Sequence, residues 1–264
     1  HMEAVSFDHF SSFIVKQGDQ VDWRKTFLSF WRFGPESPAK ELGHLWNLLP
    51  ADTRVPDHTI WTHLDLTSAF AGAFVEDTDH TPALLIVSMG PVQGFINQAR
   101  STSDLWASSH LLSHLCWIAI KVLCERFGPD SIIYPQLRGV PIVDLWLQEE
   151  MGLSFGDLPW KERASDANPL FSATLPNKFV AIVPKDSVQQ LAGEISKAVK
   201  SWVLDKTRRA VNKLLKEASQ IPSDTPPCWE QVNAQLKNFP EISWSSVPWS
   251  LIEEKETRVC SVQG

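Results

Sequence analysis

Cysteine is scarce and scattered: Cys116, Cys124, Cys228 and Cys260 are the only four in 264 residues, and no two form a Cys-x-x-Cys pair. That excludes a disulfide-stapled secreted scaffold and points to a reducing interior in which thiols serve as small apolar side chains. Positive charge is not in excess either, with 24 Lys plus Arg against 31 Asp plus Glu and a formal net charge of -7. A protein that coats nucleic acid through its overall field is thereby excluded; a local basic stripe is not. No apolar run approaches ~18 residues. The longest, Leu115 to Cys124, already carries Lys121. The chain opens without the charged and apolar regions of a signal peptide, and His1-Met2 reads as a cloning remnant. Internal repeats and low-complexity tracts are missing. A cytoplasmic protein with no membrane partner is the expectation.

What is present is apolar and aromatic: 43% of residues are hydrophobic and 12 are Trp. A chain this long buries roughly 70% or more of its unfolded surface and needs no staple. Residues 3–80 read as a helical segment, rich in Phe and Trp and broken at Gly34-Pro35 and Ser37-Pro38. Its last helix is capped by Asp57-His58-Thr59 and carries Ile60, His63, Leu64, Thr67, Ala71 and Phe74 at helical spacing. A boundary is expected at Thr81-Pro82.

From there to about residue 250 the pattern changes. Leu84-Leu85-Ile86-Val87 is a short continuous apolar run, which predicts a strand buried on both faces. Gly90-Pro91 turns the chain into a helix with Val92, Phe95 and Ile96, and Ser103-Asp104 caps a second one that Gly128-Pro129 ends. Further strands are expected at 131–134, 178–183 and 241–247, with an irregular stretch after the second. A long helix follows the third, opened by Asp186-Ser187 and running to about Ser219, with Pro226-Pro227 and a short helix beyond it. The order strand, helix, strand, strand, helix, strand predicts an α+β, ferredoxin-like (split βαβ) sheet with helices on one face. That fold by itself says nothing about chemistry. Residues 251–264 would begin a following segment.

One segment is more specific than the fold. The run Val87-Ser88-Met89-Gly90-Pro91-Val92-Gln93-Gly94-Phe95-Ile96-Asn97-Gln98-Ala99-Arg100 continues through Ser103-Asp104-Leu105-Trp106-Ala107-Ser108-Ser109. It resembles the first palm-like domain of the large subunit of type III CRISPR effector complexes, in the Cmr (type III-B) branch. Leu49 to Leu64, Ile133 to Gly139, Pro141 to Trp146 and Ile242 to Pro248 agree with it. The resemblance implies a palm related to polymerases and nucleotide cyclases. It also implies a second palm whose Gly-Gly-Asp-Asp motif binds metal and makes cyclic oligoadenylates from ATP with Mg²⁺, and an N-terminal HD nuclease-like domain. This chain holds neither a Gly-Gly-Asp-Asp nor a His-Asp, and Gln263 stands where the family tends to have the second cysteine of a zinc pair begun by Cys260. It therefore reads as a fragment with the first palm, inactive alone and holding no tightly bound cofactor. In catalytic palms the first strand ends on an acidic metal ligand; here the position is Ser88, which cannot replace a carboxylate at a hard Mg²⁺ site.

Gly90, Gln93, Phe95, Arg100, Asp104, Ser108 and Ser109 are the candidate nucleotide-binding residues. Gly90 to Gln93, at a strand-to-helix junction, would turn backbone N–H groups toward phosphate; the alternative is a tight turn needed for packing. Arg100 and Asp104 would meet phosphate and ribose, or pair with each other at a helix start. Ser108 and Ser109 would admit a ligand or another helix. Phe95 and Trp106 would stack a base or pack the core. No metal site is expected: His58 and His63 lie near Asp57 and Asp65, but His63 sits on the apolar stripe while Asp65 points elsewhere, which favours core or junction histidines. His110 and His114 have zincin spacing without its catalytic Glu. Lys197, Lys200, Lys206, Arg208, Arg209, Lys213 and Lys216 make the long helix locally basic, for RNA, an acidic neighbouring subunit, or solvent alone.

The expected function is a nucleotide half-site that supports cyclic oligoadenylate synthesis by a second palm. The partners implied are the other effector subunits and, through them, guide and target RNA. A purely structural palm that braces the complex is the alternative, and a metal-dependent nuclease fragment resting on His58 and His63 is a third reading.

Overall fold

The computed structural model describes residues 2–36, 43–55, 57–77, 79, 81–154, 165, 167–218 and 228–251. The N-terminal part holds α1 (Met2–Ser11), a two-residue-arm hairpin of β1 (Lys16–Gln17) and β2 (Gln20–Val21), α2 (Trp23–Phe33), a 3-10 turn at Gly43–Leu48 and α3 (Ile60–Glu76). Asp22 and Thr59 cap α2 and α3 by accepting the N–H of Lys25 and Thr62. Here the aromatics pack on one another: His9 meets Phe13 and Trp46, and Trp46 lies 5.6 Å from Trp61. Both of these indoles have an acceptor, Trp46 donating to the Gly34 carbonyl and Trp61 to the Trp46 carbonyl. Leu28 and Trp31 of α2 reach beyond this cluster into the main core.

The rest is β3 (Pro82–Gly90), α4 (Val92–Ile96), α5 (Thr102–Phe127), β4 (Ile132–Tyr134), α6 (Pro141–Glu149), β5 (Lys178–Pro184), α7 (Val188–Glu217), α8 (Cys228–Leu236) and β6 (Glu241–Pro248). The strands form one sheet in the order β4-β5-β3-β6, antiparallel at every pairing. The molecule is thus α+β, as the element order predicts. Asp77 anchors the α3–β3 junction: its buried carboxylate accepts the N–H groups of Asp79, Thr81 and Asp186.

Four expectations need correction. β3 is not buried on both faces: Ala83, Leu85, Val87 and Met89 point into the main core, while Ile86 between them is 45% exposed. Alternation is what an antiparallel sheet with one well-covered face produces. Nor are helices confined to one face. α5 and α7 supply Leu115, Ile120, Leu123, Leu191, Ile195 and Val199 to the main core, whereas Ala69 and Ala73 of α3 cover Ile182 and Leu84 on the opposite face. α5 is capped by Ser101, whose hydroxyl accepts the N–H of Asp104, rather than by Ser103-Asp104. The stretch after β4 contains α6, with Pro141 in its first turn, a position where the missing N–H of proline costs nothing.

α5 is, among the described residues, long and apolar enough to cross a membrane, yet half of that apolar window is buried, as in a core helix. Cys116 and Cys124 lie on its buried side as free thiols, Cys116 pushed up to about 12 and Cys124 raised by burial, so both act as small apolar groups. The Ser37-Pro38 and Pro226-Pro227 breaks and the Cys260–Gln263 comparison lie outside the described residues.

Candidate functional site

The segment from Gly90 to Ser109 leaves the end of β3, crosses α4 and enters the first turns of α5. Gly90 is the last residue of β3, and a Cβ built on it would meet only the Val92 nitrogen, at 3.9 Å. A side chain at this position would therefore meet no clash among the described residues. Gly90 faces Glu241 across the β3–β6 register, and Met89 beside it is fixed by Asn177. The Met89 N–H donates to the Asn177 carbonyl (2.8 Å) and the Asn177 amide donates to the Met89 carbonyl (3.1 Å).

The seven candidates divide by what else they do. Gln93 and Arg100 are exposed, and the Arg100 guanidinium has no ion pair among the described residues. Asp104 is engaged: its carboxylate accepts the backbone N–H of Arg100 (3.1 Å), the reciprocal half of the Ser101 cap. Arg100 and Asp104 thus meet through the backbone, leaving the guanidinium free. The Ser109 hydroxyl donates to the Leu105 carbonyl one turn back, and Ser108 is half-buried beside it. Phe95 stacks on Phe239, ring centres 4.8 Å apart, so its ring packs the chain before β6. Gly90, Gln93 and Arg100 remain open to a ligand.

Glu241, Asn177 and Phe239 are neighbours of the site that sequence reasoning missed. Nothing local marks them, because strand pairing brings them from far along the chain. Among the described residues, cavities lie elsewhere. One of about 550 Å³ is lined by α1, α2 and residues 152–154; another of about 300 Å³ lies between α2 and α3. Gln93 and Arg100 of the candidate surface are exposed to solvent.

The histidines do not converge on a metal. His58 Nε2 and His63 Nδ1 bond to each other at 3.3 Å, Asp57 takes His58 Nδ1 at 2.6 Å, and Asp65 is held by both Nη groups of Arg138. Among the described residues no group of three His, Cys, Asp or Glu could hold a metal ion. At the end of β3, Ser88 faces Lys178 and Ser243, a donor set that does not fit Mg²⁺.

Residues 84–212 match the family described as CRISPR-associated protein Cmr2, N-terminal. The chain is 37% identical over 221 residues to the CRISPR system Cmr subunit Cmr2 of Pyrococcus furiosus, covering 84% of this chain and 23% of that protein. Residues 84–212 of this chain belong to the Cmr2 N-terminal family. The Cmr2 subunit of Saccharolobus solfataricus is 38% identical over 103 residues, 39% of this chain and 10% of that one. The fold matches a chain of the type III-B Cmr-beta complex in its apo state, with a TM-score of 0.60 at 20% identity over 94% of this chain and 26% of that chain. The same complex bound to cognate target RNA gives 0.59 over 96% and 28%. The chain thus spans about a quarter of the Pyrococcus Cmr2, and the family match covers β3 through most of α7, including every candidate residue.

Proposed function

We propose that this chain is the first palm of a type III-B effector large subunit, a ferredoxin-like domain that presents a nucleotide half-site to a second palm. The strand order β4-β5-β3-β6 with helices between the strands supports the palm reading. The observation that carries the half-site is Gly90, a glycine whose added Cβ would meet no side chain, on the same β3–α5 segment as the exposed Arg100. ATP is the ligand, with Gly90 and Gln93 admitting the phosphates and Arg100 supplying charge. Ser108 and Asp104 shape the rim. Any Mg²⁺ arrives with the phosphates and the second palm, since this donor set does not fit it. The domain contributes position: holding one reactant opposite another lowers a barrier without acid or base. The neighbouring effector subunits are its partners in the cytoplasm, and guide and target RNA act on it through them.

The purely structural palm is the competing reading, favoured by the internal engagement of Phe95, Asp104 and Ser109. Gly90→Val in the full-length subunit separates the two. The half-site predicts loss of cyclic oligoadenylate synthesis, at least tenfold, with complex assembly intact. Unchanged synthesis would leave the brace.

A further inference from the structure

Away from Gly90, α5 and α7 carry a continuous aromatic row. Trp106, His110 and His114, at i, i+4 and i+8, share one face of α5. Trp106 stacks on His110 with ring centres 5.9 Å apart and planes 14° from parallel; His110 lies 6.2 Å from His114, and His114 4.7 Å from Trp202 of α7. Phe171 closes edge-on against both Trp106 and His110. At the far end the Lys206 ammonium sits 5.4 Å over the Trp202 ring.

Two features separate this row from ordinary core packing. Its outer members are open, Trp106 at 46% and Phe171 at 39% exposure. It also runs into the one strongly basic stretch of an acidic chain: residues 197–217 hold seven Lys and Arg against two acids. The buried side of α7 ends at Val203. Beyond it, Lys206, Arg209 and Lys213 continue the Trp202 face at i+4, i+7 and i+11 and are exposed. Among the described residues Arg209 and Lys213 make exposed i,i+4 pairs with Asp205 and Glu217, contacts that water and salt weaken. His114, held down to about 4 by burial and by its neighbours His110 and Lys206, is a neutral ring near pH 7.

We propose that this face of α5 and α7 binds single-stranded RNA, with Trp106 and Phe171 stacking bases and Lys206, Arg209 and Lys213 tracking the phosphates. Stacking platforms beside a basic track are what sequence-tolerant single-strand binding requires. An acidic peptide would use the basic track without the rings, and duplex RNA would hide its bases from them. The site is separate from the nucleotide half-site and does not depend on it.

The test is fluorescence anisotropy of the full chain with a labelled twelve-nucleotide oligouridylate at low salt. Saturable binding is expected, weakened about tenfold by Trp106→Ala, restored by Trp106→Phe and lost with Lys206→Glu. Binding should fall steeply with added salt and resist excess ATP. A variant that no longer binds should keep the wild-type circular dichroism spectrum. Absence of binding, a Trp106→Ala affinity equal to wild type, or equal competition by polyglutamate would overturn the proposal, the last by showing bare charge attraction.

Discussion

His114 and Asp130 sit in apolar surroundings and respond to pH in opposite senses. Burial, then the neighbouring His110 and Lys206, push His114 down to about 4 from an ordinary 6.5. The unfolded chain therefore takes up the proton first, and this contribution to stability is present above pH 6.5 and lost as pH falls toward 4. Burial raises Asp130 to about 6 from an ordinary 3.8, outweighing its hydrogen bond with Ser68. Here the folded chain holds the proton more tightly, so stability is present below 3.8 and lost as pH rises through 6. Each effect is of the order of 1–2 kcal/mol after solvent screening. Between pH 6 and 4 they oppose each other. Denaturant unfolding across that range should show Asp130→Asn losing stability on acidification more steeply than wild type, and His114→Gln less steeply. Parallel profiles for all three would contradict these placements.

Among the elements, Arg138 acts as a clamp. Its Nε donates to the Trp31 carbonyl at 2.6 Å, both Nη groups go to Asp65 of α3, and the guanidinium lies 5.0 Å over the Trp31 ring. Arg32 of α2 does the same for α6, with two bonds to Asp144 at 2.6 and 2.9 Å. These motif residues join the N-terminal helices to the sheet domain. Arg138→Met should cost about 3 kcal/mol in urea unfolding, because Asp65 is left unpaired where burial already raises its pKa. Asp65→Asn in the same chain should recover part of the loss. A single substitution costing nothing would show the pair to be mere surface decoration.

The helical periods of α3 and α7 are legible in the sequence because one apolar side repeats along many turns, and Thr59 marks where α3 starts. α6 is hidden, since Pro141 serves equally as a breaker and as a first-turn residue. Gly90 and Arg100 are singled out in the sequence by the family resemblance. The partners that define their surroundings are not: Glu241 and Asn177 reach Gly90 only through strand pairing. Phe95 has the same limitation, its role decided by Phe239 far along the chain.

At the scale of the whole molecule, the proposed nucleotide surface lies where β3 passes through α4 into α5, and the aromatic row runs between α5 and α7. The first has the form of half a site. Gly90, Gln93 and Arg100 stand free, while Asp104 and Ser109 keep the start of α5 in place. The central claim is that this half is preformed before any second palm closes on it. Calorimetric titration of the chain with ATP and Mg²⁺, with GTP as the comparison, tests it most directly. Saturable ATP binding is expected, weakened about tenfold by Arg100→Ala through loss of a charge-assisted phosphate contact. No saturable binding at millimolar ATP, or an Arg100→Ala affinity equal to wild type, would contradict it.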